Sequence, residues 1–169
     1  MKLLMLATLF ASFVGFGIYI YIGYKNRKVF FENLRAFCDH MLVEISFSRH
    51  TARHVIATYG GAYGKLFRAL LDAYIALLDQ KRDITRDRIA EIVRPRALLK
   101  LREPERAAIT DLFWELGRHG PVEEAAKLTA RRAAFDNLCQ TATAALRREA
   151  SIYLKIFILI GVTAVLLAL

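Results

Sequence analysis

His50 and His54 stand four residues apart, the spacing at which two imidazoles on one helical face can share a metal ion. They belong to no HExxH pattern, and the guanidinium groups of Arg49 and Arg53 beside them would repel a cation. The pair reads as a polar corner between helices. Gly60-Gly61-Ala62-Tyr63-Gly64-Lys65 has the outline of a phosphate-cradling loop. A Walker loop, however, leads from a strand through a first Gly and four residues to Gly-Lys and then Ser or Thr. Tyr59 stands where that Gly belongs and Leu66 where the hydroxyl belongs, so the segment reads as a turn. Trp114 lies among Leu112, Phe113 and Leu116, which is core company. Cys38 and Cys139 sit in apolar helical patterns without CxxC spacing, as buried small hydrophobes do. No spacing pairs Ser, His and Asp. The chain is therefore expected to be no enzyme, with no cofactor and no metal.

What these residues hang on is a chain with two apolar runs around a basic middle. Leu3 to Tyr24 holds no charge between Lys2 and Lys25, and its 22 residues make about 33 Å of helix, enough to span a bilayer. It is longer than a signal-peptide core and continues through Ile18-Tyr19-Ile20-Tyr21-Ile22 into Lys25, Arg27 and Lys28, a stop-transfer pattern. The second uncharged run, Ile156–Leu169, is short at about 21 Å. Starting it at Ile152, with Lys155 snorkelling to the interface, lengthens it to about 27 Å. Tyr19, Tyr21, Tyr24 and Tyr153 suit the membrane interface. The expected division is a transmembrane helix over 1–24, a helical-bundle domain over 25–151 and a second transmembrane helix over 152–169.

Charges flanking the spans set an expected orientation. Lys25, Arg27, Lys28 and Arg35 follow the first run, and Arg147, Arg148 and Lys155 precede or enter the second. By the positive-inside rule the middle is cytoplasmic and both termini lie across the membrane. The chain carries 25 Lys and Arg against 16 Asp and Glu, a net charge of +9. Those charges scatter and no recognition motif accompanies them, which excludes nucleic acid as the expected partner. Anionic membrane lipid or an acidic protein is the expected one.

The middle reads as helices throughout. After Tyr24 the first span is expected to continue as an amphipathic helix, with Phe30, Leu34, Phe37, Met41 and Ile45 spaced at four and three. Thr51 is placed to cap a second helix that stops at Gly60-Gly61. A third, from about Tyr63 to Gln80, carries Leu66, Phe67, Leu70, Leu71, Tyr74, Leu77 and Leu78. Thr85 caps a fourth with Ile89, Ile92 and Val93 inward, ended by Pro95. Pro104 opens a fifth that Gly117 terminates, and Pro121 opens the last, which nothing interrupts before the membrane. In that last helix Leu128, Phe135, Leu138, Cys139, Ala142, Ala145, Leu146 and Tyr153 form the stripe. Ala130, Ala133, Ala134, Ala142, Ala144 and Ala145 are expected to let neighbours approach closely. The fold class is all-α: an antiparallel bundle of about six helices, the first and last running into the bilayer.

Three stretches give this layout a resemblance. They are Leu34-Arg35-Ala36-Phe37 with Met41-Leu42-Val43-Glu44-Ile45, the turn Leu116-Gly117-Arg118-His119-Gly120, and Ala145 to Leu169 with Ala150, Tyr153, Lys155 and Gly161. Together they resemble the stage III sporulation protein AB family over essentially the whole chain. The chain departs from the family where a Pro-Leu pair often opens the second helix, since Arg49-His50-Thr51-Ala52-Arg53 stands there. It also has Ala126-Lys127-Leu128 in place of an early Gln in the last helix, and a final span poorer in Gly.

The resemblance implies a role. The family resembles the F-type platform proteins of type II secretion and type IV pilus systems, whose helical cytoplasmic domains dock a secretion-type ATPase. It thus implies a non-enzymatic scaffold in the mother-cell membrane. Its partners would be the ATPase of the stage III sporulation operon and other stage III sporulation membrane proteins, in a transenvelope channel complex that leaves room for a homo-oligomer. The implied contact surface is the set of charged corners: Arg49, Arg53, Arg82, Arg86, Arg88, Arg94 and Arg96. Two other readings stand beside it, a platform subunit of a pilus or secretion machine outside sporulation, and a membrane enzyme or sensor. The second would need a polar cluster inside the bundle beyond His50, His54 and Trp114.

Overall fold

One unbroken helix, α1 (Lys2–Phe47), carries both the first apolar run and the amphipathic stripe that follows it. Its 46 residues make a rod of about 69 Å. No proline precedes Pro95, so nothing removes a backbone donor from it. Phe30, Leu34, Phe37, Met41 and Ile45 are all buried, as their spacing predicts, together with Phe31 and Cys38. The computed structural model describes residues 2–47, 52–80, 84–94, 101–118 and 120–168.

Against this rod the shorter helices build a bundle. α2 (Ala52–Tyr59) ends in a 3-10 turn, Gly60–Ala62. α3 (Lys65–Asp79) buries Phe67, Leu70, Leu71, Tyr74 and Leu77. α4 (Arg86–Val93) begins after Thr85, which occupies the cap position without a side-chain bond, and buries Ile89 and Val93. α5 (Glu103–Glu115) has Pro104 in its first turn. Gly117, at φ 78°, adopts the left-handed conformation that lets the chain reverse, and its N–H donates to Glu124 Oε1 at 2.8 Å. Phe37 sits at the centre of the core, its ring 5.8 Å from that of Phe67 and 6.0 Å from that of Phe113. Thr51 and Pro95 lie outside the described residues.

The last rod differs from its expectation in one respect. α6 (Pro121–Ala145) passes into α7 (Ser151–Ala168) through a π-helical stretch, Leu146–Ala150, so the hydrogen-bond ladder changes although the helix does not break. The reason is register. Ala142 and Ala150 are buried, while α7 meets α1 where Leu154 and Phe157 face Gly17 and where Gly161 faces Phe10 and Phe13. Ala142 to Gly161 is 19 residues, one more than five α-helical turns, and a π stretch absorbs a single extra residue. The inward stripe therefore runs through Ala150, whereas Tyr153 is 43% exposed. The alanine expectation also fails in part: Ala142 is buried, but Ala130, Ala133, Ala134 and Ala144 face outward. There they serve helix propensity, not close approach.

α1 and the α6–α7 rod lie antiparallel along their whole common length. The contacts run in reverse order, Phe10 and Phe13 by Gly161, Gly17 by Leu154 and Phe157, and Arg35 by Asp136. Counting α6–α7 as one, the described residues form six helices and no strand. Both rods contain stretches long and apolar enough to cross a membrane, and only 6% and 11% of those stretches are buried within the protein. A core helix of a soluble protein would be mostly buried, so these faces fit a surrounding of lipid.

Candidate functional site

The junction between the apolar stretches and the bundle holds a concentration of polar contacts. Tyr24 donates its hydroxyl to Glu149 Oε2 at 2.8 Å and stacks on Tyr153, with centroids 6.5 Å apart. These contacts hold the π stretch against α1 at the level where α1 becomes charged. One turn further, Arg27 is 5% exposed and Glu105 4% exposed, and the guanidinium pairs with the carboxylate across 78 positions of sequence. Glu105 also accepts from its own Arg102 N–H at 2.9 Å through its other oxygen, capping α5. Arg27 Nε is buried with no hydrogen-bond partner among the described residues, so Glu105 is what compensates this charge.

Burying such a pair costs desolvation, which favours one arrangement of the helices more than it adds stability. Here it fixes the start of α5 to the membrane end of α1. Sequence reasoning counted Arg27 as an interfacial cation and missed the pair. The available signal was Glu105 itself, an acidic residue in the first turn with Ala107, Ala108 and Ile109 after it.

Pairing changes the charge census of this region. Lys28 bonds Glu32 at 3.1 Å, and Arg35 donates to Asp136 Oδ1 at 2.8 Å. The hydrogen bond from Arg35 pulls the Asp136 carboxyl below its ordinary range, and one from Gln140 adds to it. Lys25, Arg147 and Arg148 are exposed and make no ion pair among the described residues. Arg35, Asp136, Gln140, Thr143, Arg147 and Arg148 line an open groove of about 610 Å³ between α1 and the end of α6.

The arginine corners are dispersed. Arg53 reaches Asp79 Oδ1 at 2.7 Å, and Arg86 reaches Asp111 Oδ1 at 2.6 Å, so both are internal clamps. Arg88 on α4 is half-buried and Arg94, which caps its C-terminal end, is exposed, neither with an ion pair among the described residues. Arg49, Arg82 and Arg96 lie outside the described residues, as does His50. His54 Nε2 lies 3.4 Å from Thr58 Oγ1. Lys65 is the first residue of α3, entered from an extended Gly64. Trp114 is half-buried, with the Arg118 guanidinium 3.4 Å from its ring centre.

One polar cluster escaped the sequence. His40 stacks on Tyr59, centroids 4.3 Å apart, and its Nδ1 lies 2.6 Å from the Tyr63 hydroxyl. Tyr59 donates in turn to Glu44 Oε1 at 3.0 Å. Burial pushes the Tyr63 phenol well up, which keeps it a neutral hydrogen-bonding group. The cluster ties α2 and the following turn to α1.

Fold and junction together define a class: an all-helical protein whose two longest helices fit membrane spans and continue directly into a helical bundle. Residues 2–169 match the family model described as stage III sporulation protein AB. The chain belongs to that family, and is thus a protein of stage III of sporulation. No curated protein and no solved structure matches it.

Proposed function

We propose that this chain is a non-enzymatic platform subunit that docks the secretion-type ATPase of the stage III sporulation operon and holds it to a transenvelope complex with other stage III sporulation membrane proteins. In this reading the bundle is cytoplasmic on the mother-cell side, and both termini lie across the membrane, as the cations flanking the spans direct. Family membership supports it, by way of the family's likeness to F-type platform proteins. The structural observation that carries it is continuity: α1 passes from its apolar half into the core of the bundle without a hinge. A partner seated on the bundle is then rigidly connected to the bilayer, which is what a platform must provide.

The pairing pattern narrows the docking candidates. Arg53 and Arg86 are engaged within the bundle, whereas Arg88 on α4 and Arg94 at its C-terminal cap, without an ion pair among the described residues, are left to meet a partner. The test is co-purification of the detergent-solubilised full chain with the operon's ATPase. Wild type is expected to hold the ATPase in a salt-sensitive manner, and Arg88→Glu/Arg94→Glu to release it with helicity unchanged. Equal retention by the variant rejects this surface, and no retention by wild type rejects the docking role.

A further inference from the structure

We infer that the groove between α1 and the end of α6 is a headgroup site for an anionic phospholipid. Its position is the first ground. α7 begins at Ser151, and Arg148 and Arg147 lie about 6 and 8 Å before Ile152 along the helix. The headgroup layer extends roughly 5–8 Å beyond the hydrocarbon. Both guanidinium groups therefore stand at phosphate depth, while Thr143 and Gln140 lie deeper into the bundle side of the same groove.

Charge is the second ground. The groove's one carboxylate, Asp136, is already held by Arg35 at 2.8 Å and by Gln140 at 3.0 Å. Glu149, the adjacent acid, takes the Tyr24 hydroxyl at 2.8 Å. Nearby, Asp39 pairs with Arg132. The Tyr24 phenol orients Glu149 without neutralising it, so Arg147 and Arg148 outnumber the single carboxylate beside them and leave the groove positive, with two planar cations suited to bidentate phosphate binding. The volume of about 610 Å³ admits a headgroup, and Thr143, on the bundle side of the arginines, can accept from a hydroxyl of the outward-facing headgroup glycerol.

The π stretch is the third ground. It spends its extra residue between Ala142 and Ala150, so the inward register is kept while Arg147 and Arg148 stay outward on the groove side. This inference rests on α1 and α7 lying in the bilayer, which resistance to carbonate extraction checks separately.

The experiment is native mass spectrometry of the delipidated full chain, titrated with phosphatidylglycerol and with phosphatidylcholine. At about 1 kcal/mol for each arginine near the surface, two should favour the anionic lipid by roughly 30-fold. Arg147→Gln/Arg148→Gln should remove that preference. Ala144→Phe, which fills the groove from an exposed position and changes no charge, should weaken binding comparably. Lys25→Gln/Lys155→Gln, which removes two cations outside the groove, should leave most of it. Equal loss in the Lys variant would make the attraction a general surface charge effect and overturn the site. Full binding by Ala144→Phe, displacement by millimolar inorganic phosphate, or no preference in wild type would each overturn it too.

Discussion

Removing one partner of the Arg27–Glu105 pair should be among the costliest single changes available in the bundle. The side chains are 6% and 4% exposed, so water cannot compensate whichever charge is left behind. Breaking a buried pair from one side costs about 3–5 kcal/mol. A chain of this size loses about 2–4 °C per kcal/mol, so Glu105→Gln should melt roughly 6–20 °C below wild type in detergent. The carboxamide oxygen of the variant would still accept the Arg102 N–H, which leaves the cap of α5 in place and isolates the charge. Arg27→Met should cost a similar amount. The double variant should melt above the worse of the two singles, because each change removes the reason for the other's penalty. Asp79→Asn supplies the contrast. Its partner Arg53 is 63% exposed, and such pairs contribute about 0–1 kcal/mol. Thermal unfolding followed by circular dichroism reads all four. A Glu105→Gln melt as small as that of Asp79→Asn, or single costs that simply add in the double, would refute the assignment of a compensated buried charge.

Two further outcomes follow from packing. A Cβ at Gly17 would lie 3.1 Å from Leu154 Cδ1 and 3.2 Å from Phe157 Cβ, so Gly17→Ile should destabilise by about 1–3 kcal/mol, seen as a lower melting temperature, whereas Gly15→Ile, with open space around it, should not. Burial pushes the Cys38 thiol up to about 12 and also raises that of Cys139, so neither should react with a maleimide at neutral pH until the chain is unfolded in dodecyl sulfate.

Much of the architecture was legible because it depends on local patterns. The three-and-four spacing from Phe30 to Ile45 needs only one helix to be read, and Pro104, Gly117 and Pro121 mark ends by their own backbone constraints. The π stretch was hidden because it answers to a distant template. Only the placement of Gly17, Phe10 and Phe13 on α1 demands that Leu154 and Gly161 share a face with Ala142. The site was less legible still. Arg27 with Glu105, Arg35 with Asp136 and His40 with Tyr63 are pairings across 78, 101 and 23 positions, which no spacing rule announces. A list of arginines therefore overstated the free charge: Arg53 and Arg86 are occupied, while Arg147 and Arg148, read only as topology signals, keep theirs.

The unbroken course of α1 has a mechanical consequence. Residues 25–47 extend about 35 Å past its apolar half, with no joint between. Spans respond to a change in bilayer thickness by tilting. A tilt of about 10° at the membrane would sweep the far end of such a lever sideways by about 6 Å. The bundle would then behave as a pointer, converting the thickness or curvature of the surrounding lipid into a displacement comparable to one helical turn.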